Sequence, residues 1–460
     1  VRFEQHELDL GSAEGQTVLT GAFLASDVDD VAVVRIDEND ERLLRIYTFA
    51  NGVWGPALDS RLRPSAVFVD VAEVAGRERL ISYEPGRLSW FDPESSTHQV
   101  LIEIEPDFNP PPADEIPHVD ITRDLNGDGR DDLVLPDGKR SLVLLQRVDG
   151  RFAAPINVNL TSYMSIVFGA EGYRYVLRSH RRLHEMDYNG DGRRDVIVWK
   201  ADHFEVHLQN EDGLFDEVPV RLETPVAFDT DVLASLAAPS GVRNRRSDSN
   251  PTGGMTGRVL HSIEDLNGDG VSDLAVFSLL GGGLWSMHST YEVHFGTRPP
   301  DGTTVFSPEV GTSIQVDGIP FAVRRHDFDQ DGRSDMLFAK IKPGVFKAIG
   351  MLASAIFTRS VSLDVEFYRM EGDSYPDKAN VKRKIKTHSL GGSGERAALF
   401  PPLLIGDVNG DGESDLVVGW RKKELRVHLG VNGAELFARR PIKVAVAVPS
   451  EEYTWLSDVD

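Results

Sequence analysis

Asp124-Leu125-Asn126-Gly127-Asp128-Gly129-Arg130-Asp131-Asp132 decides how the chain is read, because a nine-residue stretch of the same chemistry recurs from Asp187, Asp265, Asp327 and Asp407. Every copy has aspartate at positions 1, 5 and 9, asparagine or aspartate at position 3, and glycine at position 6. A hard cation of calcium's size takes roughly six to eight oxygens at about 2.3–2.6 Å, and alternate residues of a tightly curled loop can aim oxygens at one centre. Glycine at position 6 permits the turn. A plain Asn-Gly turn is the competing explanation, since these residues dominate turns for steric reasons. It does not require the ninth-position aspartate, which is kept five times as Asp132, Asp195, Asp273, Asp335 and Asp415.

The loops therefore read as sites for about five Ca²⁺ ions, with the position-7 ligand a backbone carbonyl. Candidate ligands are Asp124, Asn126, Asp128, Arg130 and Asp132 in the first loop and Asp187, Asn189, Asp191, Arg193 and Asp195 in the second. The third offers Asp265, Asn267, Asp269, Val271 and Asp273, the fourth Asp327, Asp329, Asp331, Arg333 and Asp335, and the fifth Asp407, Asn409, Asp411, Glu413 and Asp415. Position 7 varies among Arg, Val and Glu, as expected if only its backbone is used. Asp329 replaces the asparagine of the other copies and raises the ligand charge from −3 to −4, so the Asp327 loop is expected to bind tightest.

The residues after each loop set the fold. A helical calcium module would continue with a 3.6-residue apolar period, whereas this chain continues with short apolar runs such as Leu133-Val134-Leu135 and Val196-Ile197-Val198-Trp199. Alternating second strands and turns come next, as in Leu425-Arg426-Val427-His428-Leu429 before Asn432-Gly433. The repeating unit is strand, loop, strand, strand, turn, strand. It resembles the FG-GAP or VCBS repeat family, the calcium-looped blades of integrin α-subunit propellers and of many bacterial surface proteins. That resemblance implies an all-β protein, a β-propeller of four-stranded blades.

A single propeller domain over 1–460 is expected, with repeats at about 11–60, 61–106, 116–158, 172–224, 257–316, 319–388 and 397–449. A lone strand at 1–10 reads as the closing strand, and residues 451–460 read as the start of another repeat. Eight blades are favoured in the full protein, with seven as the alternative. The first two repeats lack the glycine turn and are expected to hold no metal. Loop starts lie 63, 78, 62 and 80 residues apart, and the excess marks insertions. The insertion in the sixth repeat, from Val345 to Phe357, has Ile349, Leu352 and Ile356 at helical spacing and Phe346 and Phe357 beside them, so a short helix is expected. With Leu284, Trp285 and Met287 of the fifth repeat's insertion, it is the candidate apolar surface for a partner.

Charge and composition exclude several classes. With 73 acidic against 49 basic residues the net charge is −24, which argues against a nucleic-acid partner. Sixteen of those carboxylates are ligand positions, and five bound Ca²⁺ would bring the charge to −14. Cysteine is absent, so there is no disulfide framework, thiol nucleophile or cysteine zinc site. No apolar run of about 18 residues occurs, so no integral membrane span is expected; the chain, beginning at Val1, reads as processed or partial. Such loops suit millimolar calcium, which places the protein outside the cytoplasm: extracellular, cell-surface or periplasmic.

No catalytic set can be named. His207, His294 and His428 share one place in three repeats, where other repeats have Tyr47 or Glu366, and read as a repeat-consensus position. Arg178, His180, Arg181, Arg182 and His184 before Asp187, and Arg324, Arg325 and His326 before Asp327, read either as a site for an anionic sugar or as cations balancing loop carboxylates. A binding, adhesion or scaffold module for a protein partner or a surface glycan is favoured over an enzyme. The alternative is a polysaccharide lyase or lectin acting on acidic glycans, since similar calcium-looped propellers occur among rhamnogalacturonan lyases.

Overall fold

A computed structural model of the chain describes residues 6–10, 16–24, 28–104, 116–137, 140–159, 164–169, 172–177, 183–200, 202–228, 257–280, 288–317, 319–341, 360–388, 403–420, 424–431 and 435–445. These residues contain no helix and form seven four-stranded antiparallel sheets, the blades of a β-propeller. Blade 1 is Gln16–Gly21, Asp30–Ile36, Arg42–Ala50 and Val53–Arg61; blade 2 is Phe68–Glu73, Glu78–Glu84, Arg87–Asp92 and Thr97–Glu103. Blade 3 is Thr122–Arg123, Asp132–Asp137, Arg140–Leu144 and Ile156–Val158; blade 4 is Leu183–Met186, Asp195–Trp199, His203–His207 and Val220–Glu223. Blade 5 is Gly257–Glu264, Asp273–Leu280, His288–His294 and Thr312–Asp317; blade 6 is Ile319–His326, Asp335–Ile341, Ser360–Tyr368 and Val381–His388. Blade 7 is Leu403–Gly406, Asp415–Trp420, Glu424–His428 and Ile442–Ala445. Two compact units result, one with blades 1 to 3 and nearly all of blade 4, the other with blades 5 to 7.

Within each unit the core lies between blades. Successive strand residues point to opposite faces, and in blade 3 Leu133 and Leu135 pack on Phe68, Ile81 and Tyr83 of blade 2. Val134, between them, packs on Val196 and Val198 of blade 4. In the other unit Met336 and Phe338 of blade 6 face Tyr291 and Val293 of blade 5. Leu337 and Ala339 face Leu416 and Val418 of blade 7. Both faces of the second strands of blades 3 and 6 are thus buried, which is why they read as continuous apolar runs rather than as alternation. Fourth strands such as Val53–Arg61 and Thr97–Glu103 have no fully buried residue, and Val53–Arg61 carries a proline, as suits an edge.

Several boundaries differ from expectation. Blade 1 enters through Gln16–Gly21, inside the first expected repeat. A two-stranded hairpin, Met164–Gly169 with Gly172–Leu177, lies between blades 3 and 4, so blade 4 starts at Leu183 with a four-residue strand. Of the expected closing segment, residues 6–10 carry no strand and residues 1–5 lie outside the described residues. Seven blades is the count kept above as the alternative. The start of an eighth repeat at 451–460, the helix expected at 345–357, and Leu284, Trp285, Met287, Phe346, Ile349, Leu352, Ile356 and Phe357 all lie outside the described residues.

Candidate metal sites

All five loops join the first and second strands of blades 3 to 7, and they are built alike. The position-1 aspartate collects backbone donors: Asp124 Oδ1 accepts the N–H groups of Gly127 and Asp128 at 2.8 and 3.0 Å, and its Oδ2 accepts that of Gly129 at 3.0 Å. Asp187, Asp265 and Asp407 do the same with their own loops, and Asp327 does so at positions 5 and 6. For Asp407 these donors, led by Gly412, hold the carboxyl below its ordinary range. Both positions 4 and 6 have positive φ, 75° and 80° at Gly127 and Gly129. The sequence had assigned that need to position 6 alone. Gln330, with φ 57°, is the single non-glycine at position 4.

Position 9 has a second role that no local pattern reveals. Asp132 is fully buried; its Oδ2 accepts the Leu125 N–H at 3.0 Å and its Oδ1 accepts the Gln146 N–H at 2.8 Å, just beyond the third strand. Asp195 clamps Tyr188 and Gln209, Asp273 clamps Leu266 and Gly296, Asp335 clamps Phe328 and Met370, and Asp415 clamps Val408 and Gly430. Burial pushes the carboxyls of Asp132 and Asp335 up to about 7 and those of Asp195 and Asp273 up to about 6, with backbone donors opposing and neighbouring loop carboxylates adding. A divalent cation among these groups would favour their ionised forms.

The donor set is hard and all oxygen. Oxygens of Asp327, Asp329 and Asp335 lie within 4.8 Å of one another, and two oxygens on opposite sides of one Ca²⁺ at ~2.4 Å are about 4.8 Å apart, so this trio fits one such ion. In the other four loops the position-3 oxygen is an amide, and it accepts the position-5 N–H, as Asn126 does from Asp128 at 3.1 Å. Position 7 is not backbone alone: the guanidinium groups of Arg130, Arg193 and Arg333 pair with Oδ2 of Asp128, Asp191 and Asp331. Blades 1 and 2 depart from this plan. Asp30 takes the place of the position-9 aspartate in blade 1, its Oδ2 accepting the Leu24 N–H at 2.7 Å. In blade 2 the loop is replaced by a tight turn at Ala75 and Gly76, with φ of 55° and 74°.

Each loop also touches its neighbour within a unit. Arg123, just before the first loop, pairs with Glu185 at 2.8 Å, and Gln209 Nε2 donates to the Asn126 carbonyl at 3.0 Å. Ser334 N–H donates to the Leu266 carbonyl at 2.9 Å, and Gln330 Nε2 to the Gly412 carbonyl at 3.1 Å.

No protein-family model and no curated protein matches the chain. Solved structures similar to it include a Tc holotoxin pore of Photorhabdus luminescens, at 14% identity, a TM-score of 0.34 and 90% coverage of this chain. This chain spans only 19% of that toxin chain's length. A putative 6-phosphogluconolactonase from Bacteroides fragilis matches at 14% identity over 95% of this chain and 97% of its own, with a TM-score of 0.34. The V. cholerae biofilm matrix protein Bap1 matches at 12% identity over 95% of this chain and 70% of its own, with a TM-score of 0.25.

The other singled-out residues have structural partners. His207, His294 and His428 donate from Nδ1 to the carbonyls of Asp216, Ser307 and Ala438 at 2.8 to 2.9 Å, each fixing the chain that leaves its third strand. Strand register corrects their blade 6 counterpart. His207, His294 and His428 sit opposite Val196, Leu274 and Leu416, and the residue opposite Met336 is Tyr368, two places beyond Glu366. Glu366 instead forms a buried ion pair with Lys340 at 2.6 Å, joined by Lys382 at 3.0 Å. Burial alone would raise its carboxyl, and the hydrogen bonds and charges of the two lysines more than offset that. Of the basic cluster, Arg325 pairs with Glu264 of blade 5 and His326 Nε2 lies 2.7 Å from Ser414 Oγ of blade 7. Both are tied to neighbouring blades, while Arg178, His180, Arg181 and Arg182 lie outside the described residues. No helix among the described residues is long and apolar enough to cross a membrane.

Proposed function

We propose that the chain is a propeller of the FG-GAP/VCBS kind whose five loops bind Ca²⁺, and that it works outside the cytoplasm as a binding, adhesion or scaffold module. The observation that carries this is the fivefold repetition of one hydrogen-bonded, oxygen-only loop in blades of otherwise different sequence. Asp124, Asn126, Asp128 and Asp132, their four sets of counterparts, and the position-7 carbonyls would hold the ions. Bound calcium would supply charge neutralisation and a fixed loop shape. Because the loops also carry contacts between blades, ion binding is linked to the stability of the propeller by mass action.

The partner is a protein or a surface glycan, met through the apolar insertions around Trp285 and Leu352. Two measurements test this. Melting of the full chain should shift upward with millimolar Ca²⁺ and back with chelator, and a melting curve unmoved by chelator contradicts the calcium reading. Capture from native cell envelope should need calcium and be lost on replacing Ile349, Leu352 and Ile356 with serine while the calcium-dependent melt persists. A variant that no longer folds would mean those side chains are core.

A further inference from the structure

Three of the five loops place a guanidinium on a carboxylate that an ion would need. Arg130, Arg193 and Arg333 pair with Oδ2 of Asp128, Asp191 and Asp331, the position-5 ligands. Their side chains are 28%, 36% and 37% exposed, so water screens them only in part. Two are anchored at a second point: Arg130 Nε donates to the Gln146 carbonyl at 3.3 Å and Arg193 Nε to the Gln209 carbonyl at 3.0 Å. The remaining loops have Val271 and Glu413 at position 7; the Oδ2 atoms of Asp269 and Asp411 accept from the amides of Asn267 and Asn409 at 3.1 and 2.9 Å, as those of Asp128 and Asp191 also do from Asn126 and Asn189 at 2.9 and 2.8 Å, so the guanidinium is what sets the arginine loops apart.

We propose that arginine at position 7 is a resident counter-cation that competes with Ca²⁺, dividing the loops into a tight class, those of Asp265 and Asp407, and a weak class, those of Asp124, Asp187 and Asp327. The inference rests on the calcium reading above and assigns regulation to those same sites. A divalent ion that takes the position-5 carboxylate must share it with a fixed positive charge or displace that charge, and either lowers its affinity. Glu413 works in the opposite direction by adding a carboxylate beside its loop. In the Asp327 loop the extra charge of Asp329 is met by a second guanidinium, Arg369, at 3.6 Å. Ligand charge alone therefore overstates the affinity of that loop. When calcium falls, the arginine loops empty first and keep a charge partner for the position-5 carboxylate. Blades 5 and 7 lose theirs.

Calcium titration of the chelator-stripped full chain by calorimetry tests this. Two tight sites and three weaker ones are expected, the classes differing by about three- to tenfold, the scale of a partly exposed ion pair acting on a divalent charge. Replacing Arg130, Arg193 and Arg333 with valine should move all five sites into the tight class and lower the melting temperature of the stripped protein. Val271→Arg, which leaves the other loops untouched, should move one tight site into the weak class. Five equivalent sites in the unaltered chain, or isotherms that neither change shifts, would overturn the competition while leaving the calcium reading standing. Absence of calcium binding would overturn both.

Discussion

Gly268→Ala tests the contact between adjacent loops with an internal control. Gly268 has φ 78°, and a Cβ built there would lie 2.9 Å from the Gly332 carbonyl oxygen in the next blade's loop. Gly270, two residues on, has φ 85° and nothing within 4 Å of a Cβ. Both changes force alanine into a left-handed conformation, costing roughly 1–2 kcal/mol, less a few tenths to about 1 kcal/mol regained from the stiffer unfolded chain. Only Gly268→Ala must also push a backbone carbonyl away, an overpacking cost of about 1–3 kcal/mol. Gly270→Ala should thus lose about 1 kcal/mol and Gly268→Ala about 2–4 kcal/mol in urea unfolding at fixed calcium. Gly268→Ala should also weaken calcium binding at the Asp327 loop. Equal losses from the two variants would refute the close approach of the loops of blades 5 and 6.

Asp195→Ala should destabilise the protein by about 2–4 kcal/mol even in excess chelator, because the buried N–H groups of Tyr188 and Gln209 lose their acceptor; a loss seen only with calcium would remove the clamp role. Leu337→Ala, at a fully buried site between blades 6 and 7, should cost about 2–5 kcal/mol by denaturant midpoint. Lys340→Ala should cost about 3 kcal/mol by leaving Glu366 short of a buried partner, and Lys340→Met with Glu366→Leu should recover most of it. If the double change is as damaging as the single one, the pair is more than a compensated buried charge.

The loops and the strands after them were legible because their signals are local: a glycine where φ is positive, oxygens on alternate residues, an apolar run where both faces are buried. Partners distant in sequence were not. The ninth-position aspartate was recognised as invariant among the copies, yet its grip on Gln146 or Met370 spans 14 and 35 residues and leaves no pattern. Position 7 was read as free because its side chains differ, although arginine there finds the same carboxylate three times. Glu366 was matched to the histidines in place of Tyr368 because a two-residue slip preserves strand alternation and so keeps the same face. Blade 4's first strand has only four residues, too few to show a period.

Metal content tests the central claim most directly. After dialysis of the full chain against millimolar CaCl₂ and rapid removal of free ion, mass-spectrometric metal analysis should find about five calcium equivalents per chain, falling by about one for each position-1 aspartate (Asp124, Asp187, Asp265, Asp327 or Asp407) changed to alanine. A content near zero, or one unaffected by those substitutions, would contradict the account.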